Sequence, residues 1–180
     1  MNLTTDRLLL RELLETDLAA VREYAVDPDV ARYMTWDVGP EEVTRSFIDN
    51  AIRDSREQPR RKYDLAVVLK DENRLIGACG LYLSEANLRA GEIGYALHRG
   101  FWGQGYATEL ARELVRFSFE DLKLHRVLAW CHRENPASAR VLEKAGMQRE
   151  GFMREAKWIK EAWWDIFTYA VLEQDWPVSG

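Results

Sequence analysis

Cysteine is scarce in this chain, with only Cys79 and Cys131 among 180 residues, both inside apolar segments. Two thiols so placed cannot build the multi-bridge framework of a small secreted domain, and both read as small buried side chains. Histidine is as sparse: His98, His125 and His132 match no zinc-ligand spacing, so no metal is expected. No apolar run approaches membrane-spanning length. No secretion signal is visible at the start, which makes a reducing cytoplasm the expected location and a membrane an unexpected partner. Positive charge is in deficit as well. The 25 Lys and Arg residues stand against 30 Asp and Glu, a net charge of −5, and Arg60-Arg61-Lys62 beside Pro59 is the one compact basic run. A nucleic-acid partner would ordinarily leave a basic face, so none is expected. Internal repeats and low-complexity tracts are missing and nothing marks a second unit, so residues 1–180 are expected to form one domain.

What is present is the composition of an ordinary soluble core, 47% hydrophobic and 31% charged. Leu8-Leu9-Leu10, between Arg7 and Arg11, reads as a first strand, and Asp17 to Tyr24 as a short helix capped by Thr16. Asp27-Pro28 opens another helical turn. Gly39-Pro40-Glu41-Glu42 starts a helix whose inward face carries Val43, Phe47, Ile48, Ala51 and Ile52. Strands follow at Tyr63 to Leu69, Arg74 to Leu83 and about Arg89 to Leu97. In the last of these Ile93, Tyr95 and Leu97 share one face, and Glu92, Gly94 and Ala96 the other. A helix after residue 105 turns Ala107, Leu110, Ala111, Leu114, Val115 and Ser118 inward, with Glu109, Arg112, Glu113 and Arg116 on its solvated side. A strand from His125 to Cys131 leads to a helix begun by Asn135-Pro136-Ala137-Ser138 and closed by Gly146. Met147 to Trp158 and Trp164 to Leu172 read as a final strand pair. The order implies a mixed α/β sheet covered on both faces.

Phe101-Trp102-Gly103-Gln104-Gly105-Tyr106-Ala107-Thr108 carries the most chemistry. It joins a strand to the best amphipathic helix, where several backbone N–H groups lack intrahelical partners and the helix dipole adds positive potential. Glycine lets that backbone approach a ligand closely, so the turn suits a phosphate or pyrophosphate. No Gly-Lys-Ser or Gly-Lys-Thr follows, which excludes a P-loop. Thr108 stands where the dinucleotide-binding fingerprint needs a third small residue.

These placements make the chain resemble a GNAT-type acetyltransferase, and most closely the RimJ/RimL branch. The resemblance is carried by Leu3-Thr4-Thr5-Asp6-Arg7-Leu8-Leu9-Leu10-Arg11, Gly91-Glu92-Ile93-Gly94-Tyr95 and Trp102 to Thr108, then by Asn135 to Ser138, Glu143-Lys144-Ala145-Gly146 and Trp164-Asp165. It implies the acyl-CoA N-acyltransferase fold, a mostly antiparallel twisted sheet split between its fourth and fifth strands with helices on both faces. Acetyl-coenzyme A would be the cosubstrate, its pyrophosphate on the backbone of Gly103, Gln104, Gly105, Tyr106, Ala107 and Thr108. Members write that loop Gln/Arg-x-x-Gly-x-Gly/Ala; Trp102 replaces the first residue here, as is common in this branch. The resemblance further implies that backbone at Ala96 and Leu97 pairs with the pantetheine arm and that Asn135 contacts it. In this branch the residue matching Ser138 is proposed to protonate the departing thiolate. The tyrosine that many other members use is absent, because Leu142 stands there.

An amine nucleophile must lose a proton before attacking a thioester. Glu92, in mid-strand near the place where some members put a glutamate, is the candidate base, with Glu85, Glu134 and His98 in reserve. A covered sheet face would raise its pKa, and the plainer role is a charge paired with an arginine. Trp130 reads as core, whereas Trp36, Trp158, Trp163 and Trp164 fall in or near loops that border the acceptor cleft in the family. They could equally sit at the contact of a homodimer or higher homo-oligomer. No serine or cysteine occupies a nucleophile elbow, which favours direct attack. The resemblance points to the N-terminal amine of a protein, such as a ribosomal protein. The alternatives are a small amine (a polyamine, an amino acid derivative or an antibiotic) and a sensor that binds the acyl coenzyme without turnover.

Overall fold

The computed structural model describes residues 1–87 and 89–176. Its eight strands are β1 Asn2–Thr4, β2 Leu8–Glu12, β3 Lys62–Leu69, β4 Arg74–Leu83, β5 Ala90–Leu97, β6 Arg126–His132, β7 Gln148–Ile159 and β8 Ala162–Leu172. The helices are α1 Leu18–Ala25, α2 Pro28–Ala31, α3 Glu41–Asp54, α4 Tyr106–Glu120 and α5 Pro136–Lys144. The strands form one sheet in the order β1-β2-β3-β4-β5-β6-β8-β7, with helices on both faces, as expected. Every pairing is antiparallel except β5 with β6.

That exception makes the site. Strands β5 and β6 pair only from Ala90↔Arg126 to Glu92↔Leu128. Beyond Glu92 the remainder of β5 stays on β4 and the remainder of β6 stays on β8, so the sheet opens into a V. The split expected between a fourth and a fifth strand is therefore present, numbered β5 and β6 because Asn2–Thr4 forms an extra strand. One buried side chain, Leu3, shows no periodicity, which hid that strand from sequence reading.

Two apolar cores flank the sheet. Leu110, Leu114 and Val115 of α4 pack with Leu8, Leu10, Leu65 and Ile76 on one face. On the other, Val21, Tyr24, Ile48 and Ala51 of α1 and α3 lie on Ala66, Ala78 and Ala96. Those alanines stand in register across β3, β4 and β5, and their short side chains let the two helices come close. Leu114 has no exposed surface. Truncating Leu114→Ala should cost about 3 kcal/mol in urea unfolding, the usual result of emptying a packed leucine site.

Three local expectations are corrected. Thr16 does not cap α1; a 3-10 turn over Glu15–Asp17 precedes it, and the buried Asp17 carboxylate accepts from the Leu14 N–H at 2.9 Å and from Arg11 at 2.7 and 2.8 Å. Glu113 is buried rather than solvated, because the stripe α4 buries is wider than one face, and Arg116 neutralises it through bonds of 2.9 and 2.8 Å. Val43 of α3 is 49% exposed, while Thr44 and Asp54 are buried in its place.

Candidate active site

The glycine loop and α4 leave a row of free amides. The first bond of the helix runs from the Glu109 N–H to the Gly105 carbonyl at 3.1 Å, so Tyr106, Ala107 and Thr108 have no intrahelical acceptor. Gly103 and Gly105 sit at φ +75° and +85°, a region that favours glycine. Residues 5 to 7 clamp this loop from below. Arg7 donates to Glu109 at 2.7 Å and to the Gln104 carbonyl at 3.0 Å, and its guanidinium lies 4.3 Å over the Tyr106 ring. Thr5 donates to Glu109 at 2.5 Å. Burial raises the Glu109 pKa, but the bonds from Thr5 and Arg7 outweigh it and leave a net lowering. The Thr5/Arg7 stretch at the chain start thus shapes the loop. Sequence reading marked it only as a family signature.

A cavity of about 600 Å³ runs from that loop into the split, lined by Gly103, Gly105, Tyr106, Ala107, Thr108, Asn135 and Ser138 among others. Arg140 and Lys144, one turn apart on α5, also line it. Free amides at a helix start together with two cations suit a phosphorylated coenzyme. Sequence reading passed over Arg140 and Lys144; their four-residue spacing was the available signal. The bond of the His98 N–H to the Ile76 carbonyl, with strand alternation, turns the backbone of Ala96 towards β4. The open edge of β5 is left to Tyr95 and Leu97, and the Leu97 carbonyl already accepts from the Trp102 indole at 2.8 Å.

A second cavity, about 450 Å³, lies on the other side of the split beneath α1, α3 and the 33–39 loop. Tyr95, Asn135 and Ser138 line both cavities, so the two meet there. Asn135 caps α5, its side chain accepting from the Ser138 N–H at 3.1 Å. The Ser138 hydroxyl lies 3.1 Å from the Tyr95 hydroxyl, whose pKa burial raises, so that phenol stays protonated. Tyr95 was assigned no role from sequence. Nothing in its strand pattern showed that it reaches a helix more than forty positions later.

Glu92 lines the second cavity and sits at the last pair before β5 and β6 part. Its side chain is exposed rather than covered, and its carboxylate accepts from the Trp130 indole at 2.9 Å; no arginine pairs with it among the described residues. Trp130 is accordingly a half-buried cleft residue and not core, with the Lys157 ammonium 4.6 Å from its ring centre. Trp36 lines the cavity. Trp164 is buried edge-on to His132, while Trp158 and Trp163 meet edge to face, 59% and 57% exposed. The hairpin tip reaches over the cavity's loop, where Lys160 donates to the Ala31 carbonyl at 2.7 Å and pairs with Asp37 at 3.3 Å.

Other candidates fall away on geometry. Glu85 and His98 line neither cavity, and Glu134 lines only the first. His132 faces the second, yet its Nδ1 accepts from the Glu134 N–H at 3.1 Å and burial lowers its pKa. A neutral ring so bonded carries its proton on Nε2 and is a donor there, not a base. Burial pushes the Cys79 thiol up, and it pushes Cys131 to about 11, so neither offers a thiolate near neutrality. Among the described residues no group of three or more His, Cys, Asp or Glu could hold a metal, and no helix is long and apolar enough to cross a membrane.

The family described as "Acetyltransferase (GNAT) domain" matches residues 7–148. The uncharacterized N-acetyltransferase YnaD of Bacillus subtilis (strain 168) is 36% identical over 176 residues, 98% of this chain and 99% of that protein. The ribosomal-protein-serine acetyltransferase of Escherichia coli (strain K12) is 28% identical over 111 residues, 62% of each chain. A solved acetyltransferase (GNAT family) from Bacillus anthracis superposes with a TM-score of 0.86 at 34% identity, covering 97% of this chain and 99% of its own.

Proposed function

The chain belongs to the GNAT acetyltransferase family, and from that premise we propose that it moves an acetyl group from acetyl-coenzyme A directly to a primary amine. The observation that carries this is the meeting of the two cavities at Tyr95, Asn135 and Ser138. The loop amides of residues 103 to 108, with Arg140 and Lys144, hold the coenzyme's phosphates. The open edge of β5 at Tyr95 and Leu97 takes its pantetheine arm as an added strand would, leaving the thioester at the junction. Holding both reactants there supplies much of the acceleration.

Glu92 accepts the proton that the ammonium must lose, and the amine nitrogen then attacks the carbonyl carbon. Backbone N–H on the open edge stabilises the oxyanion. As the C–S bond breaks, the nitrogen releases its second proton to solvent to leave the neutral amide, the Ser138 hydroxyl gives its proton to the sulfur, and Tyr95 stands behind it as the next donor. Ser138→Ala should then lower kcat about 100-fold and Tyr95→Phe somewhat less. The double variant should be no slower than Ser138→Ala, because a relay fails once. Additive losses in steady-state rates would separate the two residues.

For the acceptor, the likeness to a ribosomal-protein-serine acetyltransferase supports the N-terminal amine of a protein. The cavity supports a small amine instead. Its lining carries Asp37, Asp64 and Glu92 with no lysine or arginine, between Tyr24, Trp36, Phe47 and Tyr82, and the Lys160 contacts fasten the hairpin to its loop. A volume of about 450 Å³ fits a small molecule. Coenzyme thiol release across a panel of small amines and N-terminal peptides separates these readings. Coenzyme binding with no release from any amine would favour a sensor.

A further inference from the structure

Inside the acceptor cavity, Asp64 stands without a cationic partner among the described residues. It lies on β3 opposite Gly80 of β4, and Gly80 in turn lies opposite Gly94 of β5. All three positions line the cavity. The Tyr82 side chain folds back along β4 and donates to the Asp64 carboxylate at 2.5 Å. Only glycine permits that path: a Cβ at position 80 would stand 2.4 Å from the Tyr82 hydroxyl. At Gly94 an added Cβ would meet nothing within 4 Å, so the floor between Asp64 and Glu92 is open. The nearby cations are committed elsewhere. Lys62 is 3.7 Å from Asp54, and Arg60 is 2.7 Å from Glu12. Burial raises the Asp64 pKa by more than the Tyr82 bond lowers it.

A carboxylate that is desolvated, oriented by a tyrosine and denied a protein cation is incomplete until a cation arrives. The reacting amine is held at the other end, where Glu92 marks the opening of the split. Two strand spacings separate β3 from β5, so the reach between the carboxylates is roughly 10 Å. Aromatic rings of Tyr24, Trp36, Phe47 and Tyr82 flank the space between.

We propose that Asp64, held by Tyr82 over Gly80, is the specificity-determining anchor for a second cationic group, and that the acceptor is a small amine bearing two positive centres joined by a short apolar chain. The inference rests on the acetyl-transfer reading for the cavity's use, and its test is arranged to fail separately. The probes are 1,5-diaminopentane and 1-aminohexane, in which a methyl replaces the second ammonium. The wild-type protein should show a kcat/KM at least about 10-fold higher for the diamine. Asp64→Asn should lower kcat/KM for the diamine about 100-fold more than for the monoamine, the order expected for a desolvated charge pair. Tyr82→Phe, which frees the carboxylate to swing, should fall between.

A second readout needs no turnover. The diamine without coenzyme should raise the Tm of the wild-type protein, and the Asp64→Asn protein should lose that shift while keeping the one that acetyl-coenzyme A gives. Equal preference for the two probes, an equal loss on both in Asp64→Asn, or no wild-type Tm shift with the diamine overturns the anchor. Thiol release from neither probe, with the Tm shifts as expected, overturns the acetyl-transfer assignment and leaves the cation site standing.

Discussion

Gly105→Trp should abolish coenzyme binding while leaving the fold intact. Gly105 caps α4 in the left-handed region at φ +85°. A side chain there costs on the order of 1–2 kcal/mol in backbone strain, too little to unfold a domain with two packed cores. An added Cβ would meet only Arg7, at 3.4 Å, so the indole has room to be accommodated. The room it takes is the space in front of the Tyr106, Ala107 and Thr108 amides, which the proposed function gives to the coenzyme's diphosphate. Calorimetric titration should show acetyl-coenzyme A affinity reduced more than about 100-fold, the scale of losing several charge-assisted bonds at once. Unfolding should stay cooperative, with a Tm lowered by a few degrees. Gly105→Ala isolates the strain and should bind several-fold more weakly without being dead. Near-normal affinity in the tryptophan variant would remove this loop from the coenzyme site.

The elements of that loop were legible in the sequence because they are local. Strand β4 was read to the residue from its run of apolar and small side chains between Arg74 and Leu83, and α5 from Asn135-Pro136 at one end and Gly146 at the other. The turn chemistry of residues 103 to 105 is likewise written in neighbouring positions. What stayed hidden depends on residues far apart in the chain. The divergence of β5 from β6 follows from which neighbour each strand keeps, and no period within either records it. The hydroxyl contact of Tyr95 with Ser138, the indole of Trp130 on Glu92 and the return of Tyr82 to Asp64 each join side chains on different elements. The burial of Glu113 was missed for a related reason: charge patterning finds the solvated face, and a buried carboxylate with its own arginine breaks that rule. Trp130 was misassigned because a tryptophan in a strand is usually core, and only the opened sheet exposes it to the cleft.

Glu92→Gln should lower kcat by about 100-fold or more, the usual scale for removing a base that works in the transition state. The substitution keeps shape and hydrogen bonding, because a glutamine carbonyl can still accept from the Trp130 indole that now reaches the carboxylate at 2.9 Å. Coenzyme affinity should not change, since Glu92 lines the acceptor cavity alone. Glu92 stands exposed at the wall of that cavity, and a bound acceptor would exclude water from it. Raising the pH should restore part of the lost rate, because free amine grows as protons leave it without help. A merely structural glutamate would show no such rescue. Trp130→Phe keeps the acid and removes the group that aims it, so its loss should be nearer 10-fold and show as kcat rather than coenzyme affinity. A Glu92→Gln protein with wild-type turnover across the pH range would pass the proton to water, and the indole bond would then be packing alone.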